Sequence, residues 1–296
     1  MDAALLTPPR RQIVPVSNRW GTGELSVMDY GDARRPVDLV FVHANGFNAA
    51  TYRSLLAPLS ASLRILAPDL RGHGRTRLPT PVEGRWSWGD HRDDLVALLD
   101  TLDGPPVALA GHSMGGTSSL LAAAERPDKV SRLLMFDPVV LPRGFSAMMA
   151  IPGLRSLPRL WPITKGAIRR RDRFDTPQQA MDNWRGRGAF TGWSEMMLAD
   201  YVSEALVPDD DGAFRLACAP RWEASNYAAQ GHNPWRALRR LQRPVRVLKA
   251  GTGTVCSIAP EPGRLPHVIV DTVPGGHLFP MTTPDIARDA LFEASV

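Results

Sequence analysis

From Asp38 onward, short uninterrupted apolar runs alternate with stretches of helical periodicity. "DLVFVH" (38–43), "LRILAP" (63–68), "VALAG" (107–111) and "RLLMFD" (132–137) have the composition of strands buried on both faces. Between them, "TYRSLLAPLSAS" (51–62) and "DHRDDLVALLDTLD" (90–103) carry the i, i+3, i+4 spacing of amphipathic helices, with Leu95, Leu98, Leu99 and Leu102 on one face of the second. After Asp137 the rhythm breaks. The next stretch is rich in Pro, Arg and Trp, with helical pieces such as "PQQAMDNWRGRG" (177–188) and "SEMMLADYVSEAL" (194–206). Strand patterns resume with "RPVRVLKAG" (243–251) and "HVIVDTVPGG" (267–276), and "PDIARDALFEA" (284–294) closes the chain as an amphipathic helix. The pattern predicts an α/β fold with a mostly parallel central sheet and flanking helices. Residues 1–141 and 241–296 form its core, and 142–240 a mainly helical insertion.

Composition narrows the class without changing this picture. With 296 residues, 44% hydrophobic and 22% charged, the chain reads as globular rather than disordered or fibrous. No window approaches 18 uninterrupted apolar residues, and "MDAALLTPPRRQIVP" lacks the basic-then-apolar pattern of a leader. Neither stable membrane insertion nor a signal peptide is therefore expected. Cys218 and Cys256 are far apart and lack a ligand cluster, so a reduced, cytoplasmic protein is the default expectation. The net charge of +5 is concentrated in the insertion, where 142–240 holds 15 Lys/Arg against 10 Asp/Glu, led by "IRRRDR" (168–173). That run reads either as a solvated helix face or as a positive rim for anionic substrates or membrane surfaces. A nucleic-acid partner is not expected, because no basic helix carries interleaved aromatics.

The chemistry is concentrated where "VALAG" meets the helix-forming segment that ends near Pro127. Gly111-His112-Ser113-Met114-Gly115 places one serine at a sharp strand-to-helix turn. The glycines have a local reason: a Cβ at either position would meet the neighbouring strand or helix. The serine is left at a helix N-terminus, where backbone N–H groups favour negative charge; its purely structural alternative is a helix cap. This strand, Gly-x-Ser-x-Gly and helix together resemble the nucleophile elbow of the α/β-hydrolase family.

The resemblance, from about residue 38 to the end, implies a catalytic triad. Ser113 would be the nucleophile and His277, in "VPGGHLFPM", its base, in the family order of serine, acid, histidine. The usual acid position, in the loop before the histidine strand, reads "AGTGTVCS" with Thr254 in its place, and no Asp or Glu occurs from Ala224 to Pro260. Asp137 in "LLMFDPVV" follows the strand after the nucleophile strand, where some family members carry the acid; Asp271 and Glu261 are rivals. The oxyanion donors implied are the backbone N–H of Met114 and that of Asn45 in "HANGFN", with Phe47 as the alternative and the Asn45 side chain as a further one. In "APDLRGHGRT", Asp69, Arg71 and His73 are expected to shape a loop, and His43 and His112 to pack or hydrogen-bond. Residues 142–240 match the family's lid position, with Trp184, Phe190, Trp193, Tyr201 and Trp222 as pocket lining or lid core.

These expectations amount to a cofactor-free serine hydrolase that cleaves a carboxylic ester-like bond of a small-molecule substrate through an acyl-enzyme. Thioester and lactone substrates fall within the same reading. The alternatives are a non-hydrolytic enzyme on the same fold (lyase, perhydrolase or cofactor-free oxygenase) and a catalytically retired ligand-binding protein.

Overall fold

The computed structural model describes residues 8–261 and 263–296. The start of the N-terminal segment read above for a leader lies outside the described residues. Two strands precede the expected ones: β1 (Arg10–Asn18) and β2 (Gly21–Tyr30) form an antiparallel hairpin closed through Arg19 and Trp20. β1 is an edge strand with only Val16 fully buried, so it lacks the apolar run that marks the interior strands.

The expected strands follow as β3 (Leu39–Val42), β4 (Ile65–Pro68), β5 (Val107–His112) and β6 (Val130–Phe136). Three short strands intervene, β7 (Arg173–Phe174), β8 (Leu206–Pro208) and β9 (Phe214–Leu216), before β10 (Val245–Ala250) and β11 (Val268–Val273). The central sheet has eight strands in the order β1-β2-β4-β3-β5-β6-β10-β11. β2 runs antiparallel to β4, and every pair from β4 to β11 is parallel.

Alternation along the strands splits the core between the two faces. Leu39, Phe41, Ala108, Ala110, Leu134 and Phe136 join one buried cluster, whereas Val40, Val42, Leu109, Leu133, Met135 and Val247 join another. The stretch expected as one helix over 51–62 is instead a 3-10 turn (Ala49–Tyr52), one α-helical turn, α1 (Arg53–Leu56), and a second 3-10 turn (Ala57–Ala61). Pro58, without an N–H to donate, interrupts the ladder there. α2 (Gly89–Asp100) buries Leu95, Leu98 and Leu99, and α3 (Met114–Glu125) is buried along nearly its whole length.

Between β6 and β10 lie α4 (Arg143–Ala150), a run of 3-10 turns (Pro152–Leu160), α5 (Pro162–Ile168), α6 (Pro177–Trp184), α7 (Glu195–Ala205), α8 (Pro220–Ala228) and α9 (Pro234–Arg240). α5, α6, α8 and α9 each carry proline in the first turn, where its missing N–H costs nothing. β7, β9 and β8 form a small antiparallel sheet that the sequence pattern did not announce. α9 packs Trp235, Ala237 and Leu238 into the same cluster as α2 and α3. The chain closes with α10 (Phe279–Thr282) and α11 (Pro284–Ser295), the latter burying Ala287, Ala290 and Leu291. No helix among the described residues is long and apolar enough to cross a membrane.

The join between β5 and α3 leaves no room for a side chain at either glycine. A Cβ on Gly115 would lie 2.3 Å from the Val42 carbonyl oxygen and 2.4 Å from that of His43, and one on Gly111 would lie 2.6 Å from the Gly115 carbonyl. These are backbone atoms of a central strand and a buried helix, which cannot swing aside. Gly115→Ala should therefore destabilise the fold by about 1–3 kcal/mol, read as a lowered denaturation midpoint; an unchanged midpoint would refute the close approach.

Candidate active site

β5 ends at His112, and the chain reverses at Ser113 (φ 55°, ψ −121°) before entering α3. Among the described residues only Ser113 and Asp137 (φ 38°) are non-glycines with positive φ. Such conformations cost on the order of 1–3 kcal/mol each and persist only where the surroundings over-determine them. Here the two turns hold each other: the Ser113 N–H donates to Phe136 O at 2.9 Å, and the Val139 N–H donates to Ser113 O at 3.4 Å.

The Ser113 hydroxyl lies 3.0 Å from His277 Nε2, and His277 Nδ1 lies 2.6 Å from Asp137 Oδ2. Because a carboxylate only accepts, Nδ1 carries the ring proton and Nε2 is left to accept from Ser113. Asp137 is fully buried but richly solvated by protein. Oδ1 accepts from Thr254 Oγ1 at 2.5 Å and from the Ala250 N–H at 3.1 Å, and Oδ2 also accepts from the Val255 N–H at 3.2 Å. Burial opposes the charged form, yet the hydrogen bonds from His277, Thr254 and Ala250 outweigh it and hold the carboxyl below its ordinary range. Thr254 is thus a donor to a carboxylate, Asp137, from the next strand over. The rivals are elsewhere engaged: Asp271 pairs with Arg246 at 2.7 Å and Glu261 with Arg143 at 2.6 Å.

A second chain of bonds, unread in the sequence, runs behind Ser113, His277 and Asp137. The Ala44 N–H donates to the Tyr52 hydroxyl at 3.2 Å, which meets His112 Nδ1 at 2.7 Å, and His112 Nε2 lies 2.9 Å from the carbonyl of His277. Burial, then the nearby His277, press His112 down to about 3, so it stays neutral and can both accept and donate. Tyr52 had no motif to mark it; its signal is only that it lies in the first apolar-periodic segment after β3.

In the loop after β3, Gly46 takes the positive φ (75°), so Ala44 keeps an ordinary backbone. The Phe47 N–H donates to Ala44 O at 3.2 Å and the Gly46 N–H to His73 Nε2 at 3.1 Å. Asn45 N–H has no acceptor among the described residues, and neither does that of Met114 at the start of α3. The Asn45 side chain is already bound, accepting from Asn226 Nδ2 at 2.7 Å and donating to Glu223 O at 3.1 Å.

Asp69, Arg71 and His73 are buried and internally satisfied. Arg71 donates to Asp94 Oδ1 at 2.6 Å and accepts at its carbonyl from Trp222 Nε1 at 2.8 Å. His43, held near 4 by burial, accepts from the Leu70 N–H through Nε2 at 2.8 Å.

A cavity of about 930 Å³ opens over Ser113, His277 and Asn45. Its walls are largely apolar, with Leu141, Trp161, Trp184, Phe190, Tyr227 and Leu278 contributing. Trp184 and Phe190 stack on each other, at a centroid separation of 5.6 Å, while lining it; Trp193, Tyr201 and Trp222 pack behind. The arginine run divides. Arg170 is bound by Glu223 at 2.9 Å and Tyr201 at 2.5 Å, which overcome burial and raise its pKa; Arg171 donates to Gln179 at 2.8 Å; Arg169 is exposed.

A mostly parallel sheet with a serine at the strand–turn–helix reversal defines the class of an α/β hydrolase. The sequence model described as the alpha/beta hydrolase family matches residues 39–290, and the chain belongs to that family. The chain is 28% identical over 294 residues to the magnesium-chelatase 30 kDa subunit of Rhodobacter capsulatus, covering 95% of this chain and 90% of that protein. It is 34% identical over 135 residues to the lipase LipV of Mycobacterium tuberculosis, covering 44% of this chain and 49% of the other. In overall fold it resembles the crystal structure of E-2-(acetamidomethylene)succinate hydrolase, with a TM-score of 0.77 at 22% identity over 96% of this chain and 98% of that one.

Two outcomes follow from the carboxylate's surroundings. Because the folded pKa of Asp137 is depressed, its contribution to stability is present above the ordinary value of 3.8 and lost as pH falls through the folded value. The stability gap between wild type and Asp137→Asn should accordingly be full at neutrality and narrow only as pH falls below 3.8 in acid denaturation; a gap independent of pH would contradict it. Thr254→Val should raise the Asp137 pKa, because one hydrogen bond to the charged carboxylate is lost; an unchanged carboxyl titration by NMR would leave Thr254 a spectator.

Proposed function

We propose that the chain is a serine hydrolase acting on carboxylic ester-like bonds, with Ser113 as nucleophile, His277 as general base and acid, and Asp137 as the residue that orients it. The observation that carries this reading is the hydrogen-bonded series Asp137, His277, Ser113 at the floor of the 930 Å³ cavity. As Ser113 Oγ bonds to the substrate carbonyl carbon, its proton passes to His277 Nε2 and the carbonyl electron pair moves onto oxygen. The free N–H groups of Met114 and Asn45 are the donors for that oxyanion. Collapse expels the alcohol, which takes the proton from His277. Water then repeats the sequence on the acyl-enzyme, regenerating the serine. Residues 142–240 act as the lid, and the apolar walls suit an acyl or aromatic group.

The reading as a retired hydrolase that binds a ligand or partner is favoured by one observation: a relative matched over nearly the whole chain is named as a chelatase subunit rather than a hydrolase. It predicts a serine without reactivity. Intact-mass spectrometry after a fluorophosphonate probe, run beside p-nitrophenyl ester turnover, separates the two. Wild type should gain one adduct, Ser113→Ala none, and Asp137→Asn should react more slowly and lose about 10⁴-fold in kcat. Ser113→Ala should keep its melting temperature within a few degrees. A wild type that is neither labelled nor active would sink the hydrolase reading.

A further inference from the structure

The exposed apolar side chains of the molecule are unevenly placed. Within the eighteen residues from Ile151 to Ile168, five large ones face water: Ile151, Leu157, Leu160, Ile163 and Ile168, with Leu160 62% and Ile168 57% exposed. Single exposed leucines are ordinary, but a local concentration is not. Local geometry produces it. In the 3-10 run, residues three apart eclipse, which puts Leu157 and Leu160 on one side. α5 turns Thr164 and Ala167 inward and leaves Ile163, Lys165 and Ile168 outside.

The charge of this region is one-sided. From Pro138 to Arg171 the chain has seven Lys/Arg and no Asp or Glu. Arg143 and Arg170 are paired with Glu261 and Glu223, but Arg159, Lys165 and Arg169 meet no carboxylate among the described residues. The acidic residue in the adjoining groove, Glu83, is taken by Arg221 at 3.6 Å. At the edge, Arg155 lies over the ring of Trp86 at 4.8 Å, and Trp86 is itself exposed.

We propose that the 151–169 segment docks the protein reversibly onto an anionic lipid bilayer, with its apolar side chains in the headgroup region and Arg159, Lys165 and Arg169 against lipid phosphates. Leucine and isoleucine interleaved with cations, flanked by tryptophan, is the composition that holds a protein in the plane of a membrane interface without spanning it. A stretch of 34 residues that contributes no carboxylate of its own, with the neighbouring Glu83, Glu223 and Glu261 each paired to an arginine, suits a repeating array of negative headgroups. Trp161 and Ala167 of the same segment wall the cavity, and the exposed Ile163 borders it, so docking brings the cavity's rim to the lipid. The proposal does not depend on the hydrolytic reading, because binding is measured without turnover.

The test is flotation of the full chain with vesicles of phosphatidylcholine alone or with about 30% phosphatidylglycerol. Wild type should float with the anionic vesicles and be released at about 0.5 M salt. The triple variant Arg159→Gln, Lys165→Gln, Arg169→Gln should lose about a hundredfold in partition, some fivefold per cation. Leu157→Ser, Leu160→Ser and Ile168→Ser together should lose about tenfold or more. None of these six residues lines the cavity, so p-nitrophenyl acetate turnover and melting temperature should not change. Absent binding, or equal binding to neutral and anionic vesicles, would overturn the proposal. So would a wild-type dimer, seen by light scattering, that the serine variants dissociate: the patch would then be the seat of a second copy.

Discussion

The arrangement depends on two strained turns that hold each other in place. Ser113 and Asp137 sit at the C-terminal ends of neighbouring parallel strands, and both adopt backbone conformations unfavourable for a side chain with a Cβ. The bonds Ser113 N to Phe136 O and Val139 N to Ser113 O mean that neither turn relaxes without breaking the other. Their cost is absorbed by a sheet whose β5 and β6 are almost wholly buried and by the contact of Gly115 with β3. The consequence is chemical: the serine oxygen and the carboxylate emerge on one edge of the sheet, spaced so that a single imidazole bridges them.

The same arrangement explains how the Asp137 carboxylate is sustained at the end of β6. A carboxylate buried to this degree needs donors, and the last residue of β10, Ala250, together with Thr254 and Val255 in the loop after it, supplies three. The loop that carries the acid in the commoner pattern here carries its solvation. Threonine is suited to that task because its hydroxyl reaches the carboxylate without bringing a second charge. The insertion reaches the site from the opposite side. Asn226 on α8 donates through Nδ2 to Asn45 Oδ1, and its own side-chain oxygen, Oδ1, lies 3.0 Å from His91 Nε2 on α2. Trp222 binds the Arg71 carbonyl, and Arg170 binds Glu223 and Tyr201. The loop that offers the Asn45 N–H is therefore positioned partly by the insertion, so displacement of α8 would reach the proposed oxyanion donor directly.

The parts legible in the sequence were those where local pattern and global fold agree. Buried parallel strands read as apolar runs because helices cover both faces, and Ser113 and Asp137 stood at the ends of two such runs, whereas His277 follows the half-exposed edge strand β11. β1 and β2 escaped because an edge hairpin with one wet face carries a weak pattern, and Pro58 broke an apparently helical segment into 3-10 pieces. Thr254 was visible only as the absence of an acid. Its role depends on a partner 117 residues away, which spacing along the chain does not encode. Tyr52 and His112 belong to the same category: their bonds join segments that become neighbours only once the sheet is assembled.

The division of charge follows from the same architecture. Outside 142–240 the chain holds 20 Lys/Arg and 20 Asp/Glu, so the scaffold is balanced and the whole surplus lies in the insertion. Scaffold positions are constrained by the sheet, where a buried change of charge would be costly. The insertion has only short strands and helices of its own, joined around Trp184, Phe190 and Tyr201, and its outer surface is free to vary. An apolar and basic outer face on the segment whose inner residues wall the cavity gives one element two roles. Whatever holds the outer face also sets where the inner residues lie, so contact with a surface outside the protein and access to Ser113 are coupled through α5 and the 3-10 run before it.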